Sequence, residues 1–239
     1  MNTEQFYDDL GEGYLETFKT ESMAKVLRTE NDMVLSHMPD LPNRLNVLEI
    51  GTGPGRIAAE VVKKNVCFTG VDLSQTMVQA CQRRIGPGHV LIHHDVSKGL
   101  PFPDETFDYI YSIRVLKYVH DLPGLLQDAY RVLTPGGTFL FSMPNQLSIN
   151  ALQLRQHATY HRYSIKMVKE MLERSGFSSV GVIGGPKLPD VVYQRNSKKV
   201  FHLVASTERG LDRFIGWRLT REPFYECRKP ISTRRASEQ

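Results

Sequence analysis

The sequence predicts an α/β fold: a doubly wound, mostly parallel seven-stranded sheet with helices on both faces and an N-terminal helical cap. Three observations predict it. Strand-like apolar runs alternate with helix-like runs from Asn46 onward, which implies βαβ units and a sheet covered on both sides. A glycine-rich turn, Gly51-Thr52-Gly53-Pro54-Gly55, joins the first such strand to the first such helix. The length of 239 residues, 41% hydrophobic and 23% charged, suits one such domain with an added cap.

Residues 1–40 read as the helical cap. Leu10, Tyr14, Leu15 and Phe18 recur at helical spacing, as do Met23, Val26, Leu27, Met33 and Val34. Pro39 and Pro42 close this region. Residues 41–183 carry the core. Its strands are expected at Asn46–Ile50, Val66–Val71, His89–His93, Phe107–Ile113, Thr138–Met143 and Phe177–Ile183. Its helices are expected at Arg56–Lys64, Ser74–Arg84, Leu122–Leu133 and Ile165–Arg174. Ser74 and Ser164 are placed to cap two helices, and Gly86 and Gly176 to stop them. Pro135-Gly136-Gly137 reads as the turn from a helix into the fifth strand. Residues 184–231 are expected to hold an insertion (184–205), a last helix (Glu208–Leu219) and a last strand (Pro223–Arg228) that complete the core. Residues 232–239 read as a frayed tail.

Composition excludes several classes. No apolar stretch approaches the roughly 18 residues of a membrane span, and the polar, acidic N-terminus is unlike a secretory signal. Cys67, Cys81 and Cys227 are far apart, odd in number and without zinc spacing; they read as reduced thiols of a cytoplasmic protein with no metal site. A net charge of +4 is too mild for a nucleic-acid partner. Arg218, Arg221, Arg228, Lys229, Arg234 and Arg235, crowded near the C-terminus, read as a solvated face with a loose basic tail, or as a region that attracts an anionic substrate or surface.

Chemistry is concentrated at the ends of the expected strands. In Glu49-Ile50-Gly51-Thr52-Gly53-Pro54-Gly55-Arg56, glycines let the backbone turn sharply and let a ligand lie against it. The following helix offers N–H groups and a positive dipole end. The spacing is G-x-G-x-G after an acid, whereas a dinucleotide fingerprint places its third glycine one position later. Asp72, at the end of the second strand, can accept from two ribose hydroxyls, or serve as an acid at a helix N-terminus. Asp95, after the third strand, can accept an adenine amino proton, with Leu73 and Val96 enclosing the base; an ordinary loop aspartate is the alternative. The fourth strand runs on as Ile113-Arg114-Val115-Leu116-Lys117-Tyr118-Val119-His120-Asp121 into the same crevice, and Asp108 near its start can be structural.

Together Gly51–Gly55, Asp72, Asp95, Phe107–Asp121 and Arg131–Asn145 make the chain resemble the small-molecule class I S-adenosylmethionine-dependent methyltransferases of the ubiquinone/menaquinone type. The resemblance is strong over about residues 45–145 and implies a Rossmann-like fold. It implies that Gly51, Thr52 and Gly53 line the methionine part of S-adenosyl-L-methionine and that Asp72 binds its ribose. It further implies that Leu73, Asp95 and Val96 hold the adenine, that Ile113 and Arg114 form the wall near the sulfonium, and that an N-terminal tyrosine, Tyr14, reaches over the cofactor. Where many relatives carry an asparagine and a histidine, this chain has Arg114 and Tyr118. The Asn/Asp-Pro-Pro-Tyr/Phe tetrapeptide of amide and adenine methylation is absent after the fourth strand.

The expected activity is methyl transfer to an oxygen, nitrogen or carbon atom of a small-molecule acceptor, by a monomer or homodimer. Tyr118 and His120 are the candidate catalytic residues, with His157, His161 and Tyr163 as further groups that could edge the pocket. The aromatics Phe6, Tyr7, Tyr14, Phe18, Tyr160 and Tyr163 suit an apolar acceptor pocket under the cap, or plain packing. His93 and His94 read as sheet or loop contacts. The competing readings are a nicotinamide-dependent oxidoreductase and a nonenzymatic cofactor-binding protein on the same fold.

Overall fold

The computed structural model describes residues 3–11, 14, 21–148, 161–185 and 220–231. Strand alternation explains why its sheet is covered twice. In β1 (Leu45–Ile50), β4 (Phe107–Ser112) and β5 (Leu133–Ser142), successive side chains point to opposite faces. Leu48, Ile110, Phe139 and Phe141 enter one apolar cluster with Leu125, Leu126 and Ala129 of α5 (Leu122–Val132) and Val168 and Leu172 of α6 (Ile165–Arg174). Val47, Tyr109, Tyr111 and Leu140 enter a second cluster. There they meet Val34 of α2 (Glu21–Ser36), Ala58 and Val61 of α3 (Ala58–Val61) and Cys81 of α4 (Gln75–Ile85).

With β2 (Val66–Asp72), β3 (Val90–His93), β6 (Ser178–Ile183) and β7 (Phe224–Arg228), the strand order is β3-β2-β1-β4-β5-β7-β6. The pairings from β3 to β5 are parallel, and β7 inserts antiparallel to both β5 and β6. The order reverses between β1 and β4. Chains leaving these two strands diverge there and open a crevice at their carboxyl ends. The cap contributes α1 (Thr3–Leu10) and α2.

Local chemistry sets the boundaries. Ser74 Oγ accepts from Met77 N at 3.1 Å and Ser164 Oγ from Met167 N at 3.2 Å, which caps α4 and α6 as their sequences predict. Two expectations need correction. The helix expected over Arg56–Lys64 contracts to Ala58–Val61; Ile57 offers no capping side chain, and a tighter turn follows the helix, Lys64 N donating to Val61 O at 2.9 Å. The fifth strand begins at Leu133, directly after α5, and Pro135-Gly136-Gly137 lies inside it. Leu133 pairs with Phe107 and Thr138 with Tyr109, so the residues between bulge out of register and absorb the proline and glycines within the strand.

The expected helix Glu208–Leu219, the tail 232–239, most of the insertion 184–205, and Leu15, Phe18, His157 and Tyr160 lie outside the described residues. Among the described residues no helix is long and apolar enough to cross a membrane.

Candidate active site

The crevice at the switch point holds a cavity of about 250 Å³. Tyr14, Gly51, Thr52, Gly53, Asp72, Leu73, Asp95, Val96, Ile113, Arg114, Tyr118 and His120 all line it, although they come from five separate stretches of chain.

The glycine turn is pinned to the neighbouring strand. Gly51 N donates to Val71 O at 2.7 Å and Thr52 N to the same oxygen at 3.2 Å. Gly51 and Gly53 hold φ of 79° and 51°, a region closed to most side chains. At Gly51 a Cβ would collide with Val115; at Gly53 it would meet nothing within 4 Å. The first glycine therefore serves packing against the loop after β4, and the second leaves open space against its backbone.

Asp72 ends β2 beneath this turn. Its Oδ2 accepts from Gly53 N at 2.7 Å and its Oδ1 from Ser74 N at 3.0 Å, so the carboxylate ties the turn to the start of α4. Burial pushes its carboxyl above the ordinary value, and those two N–H groups offset only part of the shift. Asp95 is committed on one side: its Oδ1 accepts from Ser97 N at 3.0 Å and Ser97 Oγ at 2.7 Å, while Oδ2 stands 3.7 Å from Lys98 Nζ. Asp108 is structural, accepting from Asn46 N at 3.0 Å and Thr134 Oγ1 at 3.1 Å.

The cap reaches the cavity through α1. Tyr7 Oη donates to Tyr118 Oη at 2.7 Å, and the two rings meet edge to face at 5.7 Å. Tyr7 and Tyr14 lie 6.0 Å apart. Asp8 accepts from Ser74 Oγ and from Thr76 N, which docks α1 on the N-terminus of α4. His120 sits at the exposed rim, its ring edge to face with His161 at 5.4 Å. Tyr163 faces the apolar cluster around α5 and α6 rather than the cavity. His93 and His94 place Nε2 2.7 Å from Leu73 O and Gly99 O respectively. Among the described residues no group of three or more His, Cys, Asp or Glu could hold a metal.

Three carboxylates carry more of the site than their sequence positions announce. Glu49, the acid before the glycine turn, is 3% exposed and lines the cavity, and its Oε2 has no hydrogen-bond partner. Burial pushes it well above the ordinary carboxyl value, offset only in part by the Tyr111 phenol and Arg56. Glu30 of α2 bonds both Arg56 and Arg114. Its signal in the sequence is an acid set within the apolar stripe Met23, Val26 and Val34, all buried. Glu222 accepts from Ser142 Oγ at 2.9 Å. Burial alone would raise it, but Lys117, Arg114 and Arg221 with that hydrogen bond hold it below the ordinary value.

Residues 48–141 match the family model described as a methyltransferase domain. Among curated proteins, the demethylmenaquinone methyltransferase of Tropheryma whipplei is 35% identical over 103 residues, covering 42% of this chain and 43% of that protein. The malonyl-[acyl-carrier protein] O-methyltransferase of Salmonella typhimurium is 32% identical over 117 residues, covering 49% of this chain and 46% of that protein. Each match thus spans less than half of the relative's length. Among solved structures, an S-adenosylmethionine-dependent methyltransferase from Thermotoga maritima superposes with a TM-score of 0.69 at 18% identity, over 95% of this chain and 97% of that one, which shows a shared fold. Glycine turn, strand order and family match agree: residues 48–141, which carry the turn and run from β1 to β5, are similar to a methyltransferase domain.

Proposed function

We propose that this chain transfers a methyl group from S-adenosyl-L-methionine to an oxygen, nitrogen or carbon atom of a small-molecule acceptor. The observation that carries the reading is the convergence of Gly51–Gly53, Asp72 and Asp95–Val96, from three neighbouring strand ends, on one cavity. The residues present fit that cofactor. Gly53 leaves room against its backbone, and the unpartnered Glu49 Oε2 suits a donor or cationic group.

In this reading Gly51, Thr52 and Gly53 flank the methionyl part, and Asp72 uses its remaining lone pairs to accept from the ribose hydroxyls. Leu73 and Val96 enclose the adenine, and Asp95 Oδ2 accepts from its amino group. Ile113 and Arg114 wall the reacting end, with Tyr14 closing over it. Bound there, S-adenosylmethionine supplies a methyl group already activated by its sulfonium. The protein's task is then to align an acceptor and exclude water, and orientation of this kind lowers barriers by about 7–11 kcal/mol. Tyr118, which receives the Tyr7 hydrogen bond, and His120 at the rim are the groups that hold or take an acceptor proton, worth about 10²–10⁴-fold where one must leave. Three cysteines without a disulfide fit a reducing, cytoplasmic setting.

A screen for labelled methyl transfer from S-adenosylmethionine into fractionated metabolite extracts tests the activity. We expect a labelled small molecule that forms only with the protein present. Tight cofactor binding without product in any fraction would instead favour the nonenzymatic reading.

A further inference from the structure

A buried set of charges separates the cap from the strand ends. Glu30, 4% exposed on α2, bonds Arg114 Nε through Oε1 and Arg56 Nη2 through Oε2, both at 2.6 Å. Arg56 follows the glycine turn, Arg114 follows β4, and both line the cavity. Arg56 Nη1 also donates to Asn31 Oδ1 at 2.6 Å and Leu27 O at 3.0 Å. Tyr14, on the same cavity, lies within electrostatic reach of Glu30, Arg56, Arg114 and Glu222. One carboxylate of the cap therefore holds two guanidiniums at the end of the cavity where the turn and the loop after β4 meet.

The arrangement is maintained against strain. Arg114 has φ of 66°, a left-handed backbone unfavourable for a residue with a Cβ. Its N–H donates to Ser142 Oγ at 2.9 Å and its side chain is anchored by Glu30. Burial alone would weaken the guanidinium's hold on its proton, yet Glu30 and Glu222 more than reverse this, so Arg114 stays charged.

Two arginines are an unfavourable wall for a sulfonium, which is itself a cation. We propose that Glu30 is a positioning residue whose negative charge makes Arg56 and Arg114 compatible with a sulfonium-bearing cofactor. The proposal rests on the methyltransferase reading. It separates from a merely structural role, because S-adenosylhomocysteine differs from S-adenosylmethionine only in lacking the methyl group and its positive charge. Loss of architecture weakens both ligands alike; loss of the compensating charge weakens the sulfonium ligand selectively.

Calorimetric titration of the wild-type chain and Glu30→Gln with both ligands tests this. For charges several ångströms apart in a partly buried site, we expect the ratio Kd(S-adenosylmethionine)/Kd(S-adenosylhomocysteine) to rise about tenfold or more in Glu30→Gln. Adding Arg114→Gln to that variant should bring the ratio back toward the wild-type value. An unchanged ratio, with both ligands weakened equally or not at all, overturns the proposal. Should Glu30→Gln fail to fold, Arg114→Gln alone is expected to lower the ratio, and no change there is equally fatal. Failure of both ligands to bind the wild-type chain overturns the methyltransferase reading itself, a result distinct from binding with a constant ratio.

Discussion

A buried carboxyl with one oxygen left unpartnered is pushed toward its neutral form, because ionising it in a poorly solvated site is costly. Glu49 is such a group, with its proton affinity raised well above the ordinary 4.5. The sign of its effect on stability follows. At low pH both folded and unfolded chains carry the proton and nothing is lost. As pH rises past the unfolded value, the unfolded chain releases the proton and the folded chain keeps it, so stability falls until the folded carboxyl ionises. Glu49→Gln removes this dependence. In urea denaturation from about pH 5 to about pH 7, the stability difference between Glu49→Gln and wild type should grow in favour of the variant, by up to about 1.4 kcal/mol per pH unit. A difference that stays constant over that range would show that Glu49 is ionised in the folded chain. Asp72 and Asp95 stood out in the sequence because each sits where a strand-like run meets a turn, whereas Glu49 stood out only as the acid before the glycines. Glu30 did not, because its partners lie 26 and 84 positions away and helical spacing names a face without naming what it meets.

At the scale of elements, the glycine turn separates packing from ligand space. Gly51→Ala forces a Cβ into Val115 at a positive φ and is expected to destabilise the fold by about 2–4 kcal/mol. Gly53→Ala carries only the conformational penalty, about 1–2 kcal/mol, while its Cβ points into open space. Denaturation and cofactor titration of the pair should therefore rank oppositely: Gly51→Ala loses more stability, and Gly53→Ala, if folded to the same extent, loses more affinity per unit of stability lost. Equal losses on both scales would mean that Gly53 does not face the ligand. The strands and most helices were readable from alternation and capping residues. The start of β5 was not, since Pro135 and Gly136 are breakers by local preference and are tolerated here only by a bulge against β4. α3 is shorter than its sequence predicts for a related reason: its periodic residues continue past the point where capping and hydrogen bonding end the helix.

For the whole molecule, the strand order fixes where a ligand can sit. Reversal between β1 and β4 opens the crevice, α1 and α2 lie over it, and the antiparallel β7 joins β6 to the far side of the sheet. The alternation of strands and helices predicted this class. The tie between cap and crevice, through Tyr7–Tyr118, Asp8–Ser74 and Glu30 with its two arginines, required the folded chain. The proposed occupant of this crevice is S-adenosylmethionine rather than a dinucleotide. Isothermal titration of the wild-type chain and Asp72→Ala with S-adenosylmethionine and with NAD tests this assignment most directly. We expect saturable binding of S-adenosylmethionine, none of NAD, and a loss of about 2–3 kcal/mol in the folded Asp72→Ala variant, the scale of hydrogen bonds to a charged group. Binding of NAD without S-adenosylmethionine would contradict the assignment.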